Sequence, residues 1–206
     1  MHRSYPFFGN YAATELDWPL GANPAKKLGS AYKPAREYEP WPEWMVNHLD
    51  TAPERLQIAA RLILGTGQRP NAAITMRRDQ FQGEWMIVHD EKGDKELEVY
   101  CPDSLRTFIE GLPRQGHYVL AKNLTEPLGY SAVEASFRKW RNSLGEHAKK
   151  YSLHGLRKLS IVELAEAGAS DAEIQAVTGQ SAQMVAYYRK RASKRALSKA
   201  AQERRT

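Results

Sequence analysis

The order of apolar and polar residues predicts a chain built mostly from helices. Apolar residues recur at helical spacing within residues 56–64, 105–112, 133–144 and 156–165. The last segment, from about residue 184, is helical and basic. Helices therefore make up most of the predicted structure.

Capping signals mark several of these helices. In a capping box, a Ser or Thr is followed three positions later by Glu, and each side chain bonds the other residue's backbone N–H. The candidate boxes are Thr51 with Glu54, Ser131 with Glu134, and Ser170 with Glu173. Glycines typical of helix ends follow at Gly65, Gly67, Gly168 and Gly179. A further helix is expected to open at Asp103.

One stretch has the pattern of strands instead. Residues 84–89 are rich in apolar and aromatic side chains, residues 96–100 alternate, and Lys92-Gly93-Asp94 lies between them. This pattern predicts a β-hairpin with Lys92 at its tip. With the helices, it predicts an α+β fold that is mostly α, with one small antiparallel sheet.

The composition changes before this compact region. Residues 1–20 are predicted to hold a short helix that stops at Pro19, and residues 21–42 carry several prolines among lysines and arginines. Proline removes a backbone donor and disfavours helix before it, so this part is interpreted as an extended basic linker. Compact structure is expected to begin near Trp41, which predicts a division into residues 1–42 and 43–206.

Composition and charge narrow the class of protein. The 206 residues carry a net charge of +6 with a pI near 9.4, which is compatible with a polyanionic partner. The single cysteine, Cys101, excludes an internal disulfide and a cysteine-based zinc site. No apolar run is long enough for a membrane helix, and the N-terminus lacks the apolar core of a signal peptide. We therefore expect a cytoplasmic protein without a membrane partner.

Five polar side chains, which the predicted helices and hairpin do not need for packing, suggest a catalytic chemistry. Arg69 follows a predicted helix, Lys92 lies on the hairpin, His154 and Arg157 share one face of a helix start, and Tyr188 comes late in the chain. Covalent cleavage of a phosphodiester needs a nucleophile, positive charge on the phosphate oxygens and an acid for the leaving group. These residue types supply all three without a metal.

Four sequence blocks carry a resemblance to a known family. They are GTGQRP with ITMRRDQF, the DEKGDKELEV hairpin, HGLRK with LAEAG, and the segment from TGQ to YYRK. In this order and at these distances they resemble the catalytic domain of the tyrosine recombinases, or phage-type integrases, over roughly residues 40–200. Residues 1–42 resemble the tail of the preceding core-binding region and the basic interdomain linker.

The resemblance implies a role for each candidate. Arg69 and Arg157 would hold the two non-bridging phosphate oxygens, and Tyr188 would attack phosphorus to form a 3′-phosphotyrosyl link. Lys92 would protonate the leaving 5′ oxygen, and His154 would assist proton movement. The phosphotyrosyl bond preserves the energy of the broken bond, so no cofactor or metal is expected.

The resemblance also implies partners and a location. We expect double-stranded DNA, a homo-oligomer (a tetramer) on that DNA, accessory factors that bend DNA or set direction, and a nucleoid-associated protein. The basic C-terminal segment has an apolar stripe of its own. For this segment, contact with a neighbouring subunit and contact with DNA are both open.

The sequence departs from the family pattern at two positions. Ala72 stands where Glu or Asp is usual, and Gln180 stands where His, sometimes Trp, is usual. An amide can donate a hydrogen bond to phosphate but carries no charge. We expect Gln180 to take the part of that histidine as a neutral donor.

Two assignments keep a competitor. The segment after Gly179 is one residue short of the family pattern, so Tyr188 is the better aligned nucleophile while Tyr187 remains an alternative. We expect Tyr187 to be the tyrosine that packs half-buried against the core. On the hairpin, Lys95 competes with Lys92.

Three functions fit these residues. The first is a site-specific recombinase or integrase that cleaves and rejoins DNA strands. The second is a DNA-binding or regulatory module of the same fold whose chemistry has been lost, as Ala72 and Gln180 could indicate. The third is a type IB topoisomerase-like enzyme. The five core side chains favour the first over the second, and the chain length argues against the third.

Overall fold

The computed structural model describes residues 38–90 and 95–205, and structural statements refer to these residues. They belong to a single compact unit that begins at Tyr38. The predicted α+β class is confirmed, because the fold is mostly helical with one small antiparallel sheet. The predicted short helix before Pro19 lies outside the described residues. The reading of residues 1–42 as a core-binding tail and linker stays a prediction.

Short connections join the helices and strands along the described chain. The helices are α1 Glu43–Asn47, α2 Glu54–Thr66, α3 Pro70–Ile74, α4 Asp103–Gly111, α5 Tyr130–Ser143, α6 Leu153–Glu166, α7 Asp171–Thr178, α8 Ala182–Arg189 and α9 Lys194–Glu203. The strands are β1 Phe81–Gln82, β2 Trp85–Asp90 and β3 Lys95–Tyr100. Single 3-10 turns occur at Leu49–Thr51, Arg78–Gln80 and Glu146–Ala148.

Helix α6 is the centre of the fold. It packs against α2, α3, α7, α8 and α9, so side chains on most of its surface are buried. A helix surrounded in this way is expected to be apolar, yet α6 buries Arg157, Lys158 and Ser160 among its apolar residues. Three buried polar residues on one central helix point to a site rather than to packing alone.

The main core begins at Trp41, as the sequence predicts. Trp41 is 1% exposed and stacks on Phe137 and Trp140, with ring centroids 5.5 and 5.8 Å away. Its indole N–H donates to the Ser152 carbonyl over 2.7 Å, which satisfies its one polar atom. Trp41 therefore joins α5 to the start of α6.

The sheet has the strand order β1-β2-β3, with both pairs antiparallel. The predicted hairpin is confirmed by the register of β2 and β3, which runs from Trp85 opposite Tyr100 to Asp90 opposite Lys95. Met86, Val88 and Val99 face the core. Lys92 falls in residues 91–94, outside the described residues.

Helix starts agree with the sequence at some positions and differ at others. The Ser170–Glu173 capping box is present, with both reciprocal hydrogen bonds formed. The box predicted at Thr51 is wrong, because Pro53 caps α2 and the Thr51 hydroxyl donates to the His48 carbonyl. The box predicted at Ser131 is also wrong, since the residue that caps α5 is Gly129, two positions earlier.

A second, smaller core lies between α6, α7 and α8. It contains Ile161, Val162, Ala165, Ile174, Val185, Tyr188 and Ala192. The basic C-terminal segment predicted as one helical stretch is two helices, α8 and α9, separated by residues 190–193. Leu197 of its apolar stripe packs against this second core, so part of the stripe is covered by its own chain.

Candidate active site

The turn after α2 sets the position of Arg69. The helix ends at Gly67, whose φ of 63° is the left-handed conformation that glycine adopts without strain. Arg69 then caps α3, with Pro70 at the first helical position. A Cβ at Gly67 would lie 2.9 Å from the Thr178 methyl carbon, so this turn packs closely against the end of α7. The glycine that makes the turn thus brings Arg69 beside a distant part of the chain.

Arg157 joins the same two segments from inside α6. Its Nε donates to the Gly67 carbonyl over 2.9 Å, and its Nη2 donates to the Thr178 carbonyl over 2.7 Å. The residue is only 7% exposed. A guanidinium suits this position because its planar fork can donate in several directions and remains charged when buried. Arg157 therefore fixes the turns that carry Arg69 and Gln180.

Lys158 is a residue of this site that the sequence did not single out. It is 8% exposed, and its Nζ donates to Gln180 Oε1 over 2.7 Å. The same nitrogen lies 4.8 Å from the centroid of the Tyr188 ring, a cation–π distance. Burial, followed by the charges of Arg157 and Arg69, lowers the pKa of Lys158 to about 8.

His154 lies one helical turn before Lys158, at the start of α6. Its ring stacks on that of Tyr38, with centroids 4.6 Å apart and planes 15° from parallel. Burial lowers the pKa of His154, and the charges of Lys158, Arg157 and Arg69 lower it further. These charges act on one imidazole, so the two arginines and the histidine share one electropositive site.

The two tyrosines of α8 have opposite environments. Tyr188 is 3% exposed and its hydroxyl donates to the Tyr38 carbonyl over 3.0 Å. Tyr187 is 38% exposed, and its ring meets that of Tyr188 edge-on at 5.0 Å. The prediction that Tyr187 packs against the core is wrong, because the helix turns Tyr188 inward toward α6. Tyr188, the aligned candidate, is thus the tyrosine that reaches the cationic site.

The segment just before α1 lies against α6 and α8. Gly155 makes this approach possible, since a Cβ there would collide with the Glu39 carbonyl and lie 2.9 Å from Trp41. Glu39 also forms an ion pair with Arg191, just beyond α8. The backbone at Tyr38 and Glu39 is therefore held beside both His154 and Tyr188.

The departure at Ala72 leaves a space. A cavity of about 150 Å³ is lined by Gln68, Ala72, Thr75, Met76, Gln80, Val88 and His89. No acidic residue takes part in this lining. His89 lies on β2 and pairs with Glu96 of β3 over 3.1 Å, one register pair before the end of the ladder at Asp90 and Lys95.

The structure thus brings most of the candidate residues together. The charges of Arg69 and Arg157 act on His154, and Lys158 connects this group to Gln180 and Tyr188. The hairpin lysine Lys92 is not among the described residues. The spacing of four between His154 and Lys158 places them on one helix face, and this signal could have revealed Lys158. Within the described residues, no group of His, Cys, Asp and Glu could hold a metal ion.

Comparison with known families identifies the class of protein. The sequence model of the phage integrase family matches residues 43–195. This match covers most of the chain, so the protein belongs to the phage integrase family. The resemblance found in the four sequence blocks is confirmed.

Solved structures with the same fold agree with this class. A lambda integrase fragment, a dimer bound to a COC′ core site, superposes with a TM-score of 0.69 at 21% identity, covering 90% of this chain and 69% of that one. A lambda integrase tetramer bound to a Holliday junction gives 0.68 at 17% identity, covering 89% and 57%. The XerA recombinase gives 0.60 at 16% identity, covering 98% and 82%. The fold is that of a tyrosine recombinase catalytic domain.

The chain spans little more than half of the lambda integrase chain in that tetramer. No curated protein sequence matches this chain.

Every helix in the described residues is too short or too polar to cross a bilayer.

Proposed function

We propose that this protein is the catalytic domain of a site-specific DNA recombinase or integrase that cleaves and rejoins strands through a 3′-phosphotyrosyl intermediate. One observation carries the proposal. Side chains from separate parts of the sequence, namely Arg69, the His154–Lys158 segment, Gln180 and Tyr188, meet around one electropositive site. Family membership supports the same chemistry.

In the cleavage step, the Tyr188 oxygen forms a bond to phosphorus while the bond from phosphorus to the 5′ oxygen breaks. Negative charge builds on the non-bridging oxygens, and Arg69 and Arg157 stabilise it. Arg157 also donates to two backbone carbonyls, so it enters the step already oriented. Gln180 adds a neutral hydrogen bond to the same phosphate.

Two protons move in this step. The phenol of Tyr188 loses one, and the leaving 5′ oxygen gains one from Lys92. The lowered pKa of His154 favours its neutral imidazole, which is the form that can accept a proton from the phenol. Because the phosphotyrosyl ester retains the bond energy, the reverse step rejoins the strands without a cofactor.

Double-stranded DNA is the proposed substrate of this chemistry. The net charge of +6 suits a polyanion, and the lambda integrase relatives are bound to DNA as a dimer and a tetramer. We extend both properties to this chain: it binds duplex DNA and acts as a homo-oligomer, a tetramer during strand exchange. Accessory factors that bend DNA or set direction are part of the proposal, as is a cytoplasmic, nucleoid-associated location.

Two features of the structure favour a second function. The Tyr188 hydroxyl is buried and bonded to the Tyr38 carbonyl, and the cavity beside Ala72 has no carboxylate. Both features fit a DNA-binding or regulatory module that has lost strand cleavage. In that case the fold would bind DNA while Tyr188 stays in place.

Suicide substrates separate the two functions. A nicked duplex that loses its short 5′-hydroxyl strand after cleavage traps the covalent adduct, which a denaturing gel then displays. We expect an adduct from the wild type and from Tyr187→Phe, and none from Tyr188→Phe. Peptide mapping of an adduct to Tyr187 would reassign the nucleophile. Absence of adduct from the wild type on every nicked substrate, with DNA binding intact, would support the module that has lost cleavage.

A further inference from the structure

Gln180 has a buried amide with one half bonded and the other half unpaired. Its Oε1 accepts from Lys158 Nζ, whereas its Nε2 is buried with no hydrogen-bond partner among the described residues. A buried unpaired N–H group costs free energy, and such groups in native proteins require an explanation. A ligand that accepts hydrogen bonds would supply one.

Lys158 decides which way this amide points. An ammonium group has three donors and no acceptor, so the Gln180 atom 2.7 Å from it has to be the oxygen. The NH2 end is then turned away from Lys158. The amide of Gln180 carries a donor end and an acceptor end of similar size, so its own shape does not fix its orientation. The charge of Lys158 fixes it.

Stability does not explain Lys158. It is 8% exposed, and in the described part of the chain its Nζ is bonded to a neutral amide rather than to a carboxylate. Arg157 and Arg69 are near enough to depress its proton affinity. Burying an ammonium group without an opposite charge is unfavourable. A residue placed at such a cost is more readily explained by function.

We propose that Lys158 is a positioning residue, which fixes Gln180 with its NH2 group toward the scissile phosphate and holds the Tyr188 ring beside that group. The contact to the ring, 4.8 Å from Nζ to centroid, ties the nucleophile to the same nitrogen. In a histidine at position 180, the rigid imidazole ring would fix the direction of the N–H donor. Here the contact with Lys158 fixes the direction of the Gln180 NH2 group. This inference rests on the proposed function, since the phosphate is the ligand assigned to Gln180.

A double-mutant cycle tests the coupling of the two residues. Lys158→Met and Gln180→Met both replace a polar chain with an unbranched apolar chain of similar length. The measurement is the rate of adduct formation on a saturating suicide substrate. We expect each single variant to be slower by about tenfold, as for one lost hydrogen bond, and the double variant to be no slower than either one. Losses that multiply, or a normal rate for Lys158→Met, would overturn the proposal.

An NMR measurement reports on the amide without any cleavage. The Gln180 side-chain NH2 resonances are assigned by their disappearance in Gln180→Met. In the wild type we expect them to shift when inorganic phosphate is added, and in Lys158→Met we expect no such shift. Resonances that respond alike in both proteins, or in neither, would show that Lys158 does not orient the amide.

The two measurements separate the possible failures. If no protein forms an adduct but the resonances behave as expected, the proposed function fails while the orienting role of Lys158 stands. If the wild type forms an adduct and the losses multiply, the proposed function stands and the role assigned to Lys158 is wrong.

Discussion

Replacing Arg157 with lysine should lower both stability and activity, because the guanidinium has a structural task as well as a chemical one. Two of its nitrogens donate to the Gly67 and Thr178 carbonyls, 2.9 and 2.7 Å away, and the residue is 7% exposed. A lysine has a single terminal nitrogen and cannot reproduce two donors of a planar fork. At least one buried carbonyl is then left without its donor.

The expected loss of stability follows from that one hydrogen bond. A hydrogen bond to a charged group contributes roughly 1.5–3 kcal/mol to the free energy of unfolding. For a domain of this size, each kcal/mol shifts the Tm by about 2–4 °C, so Arg157→Lys should melt about 3–12 °C below the wild type. Cleavage should fall by about 10²–10³, as for one donor lost from a transition-state anion site.

Thermal unfolding without DNA and adduct formation on a suicide substrate measure the two effects. Arg138→Lys is the matched control, since Arg138 lies exposed on α5 and the chemical change is the same. Its Tm should stay close to that of the wild type. A Tm for Arg157→Lys equal to that of the control would refute the structural part of the reasoning. Normal cleavage at temperatures where the variant is folded would remove Arg157 from the phosphate site.

Three further predictions concern neighbouring residues. Gly155→Ala should lower the Tm despite the better helix propensity of alanine, because its Cβ meets the Glu39 carbonyl. The control Gly111→Ala has open space around it and should not lower the Tm. Equal Tm values for the two variants would contradict this prediction. Tyr188→Phe should reduce the free energy of unfolding by about 0.5–1.5 kcal/mol, from one hydrogen bond, and an unchanged urea midpoint would contradict it. The free energy of unfolding of the wild type should rise relative to that of Lys158→Met as pH increases from about 8 to 10.5. In this window the unfolded state holds a proton on Lys158 that the folded state has released. Urea unfolding across this range measures the difference between the two proteins, and a constant difference would refute the prediction.

Local patterns in the sequence determined the secondary structure where neighbours along the chain are enough to form it. The hairpin of β2 and β3 and the capping box at Ser170 involve only residues close in sequence, and both are present. The box at Ser131 fails because α5 starts earlier, after Gly129, whereas the box at Thr51 fails for a tertiary reason. Thr51 accepts a hydrogen bond from the Trp140 indole, 89 positions away, and its hydroxyl serves a 3-10 turn.

The sequence by itself also determined the class of protein and named Arg69, His154, Arg157 and Gln180 as candidates, because the blocks that carry them are recognisable one by one. The sequence favoured Tyr188 by alignment and left Tyr187 open. The tertiary structure buries Tyr188, since adjacent residues on a helix point about 100° apart and α8 packs one of them on α6. The spacing of four from His154 places Lys158 on the same helix face, but only the tertiary structure gave it its partners, Gln180 and Tyr188. A side chain's partners across the fold are set by helix packing, and no local pattern in a single sequence records them.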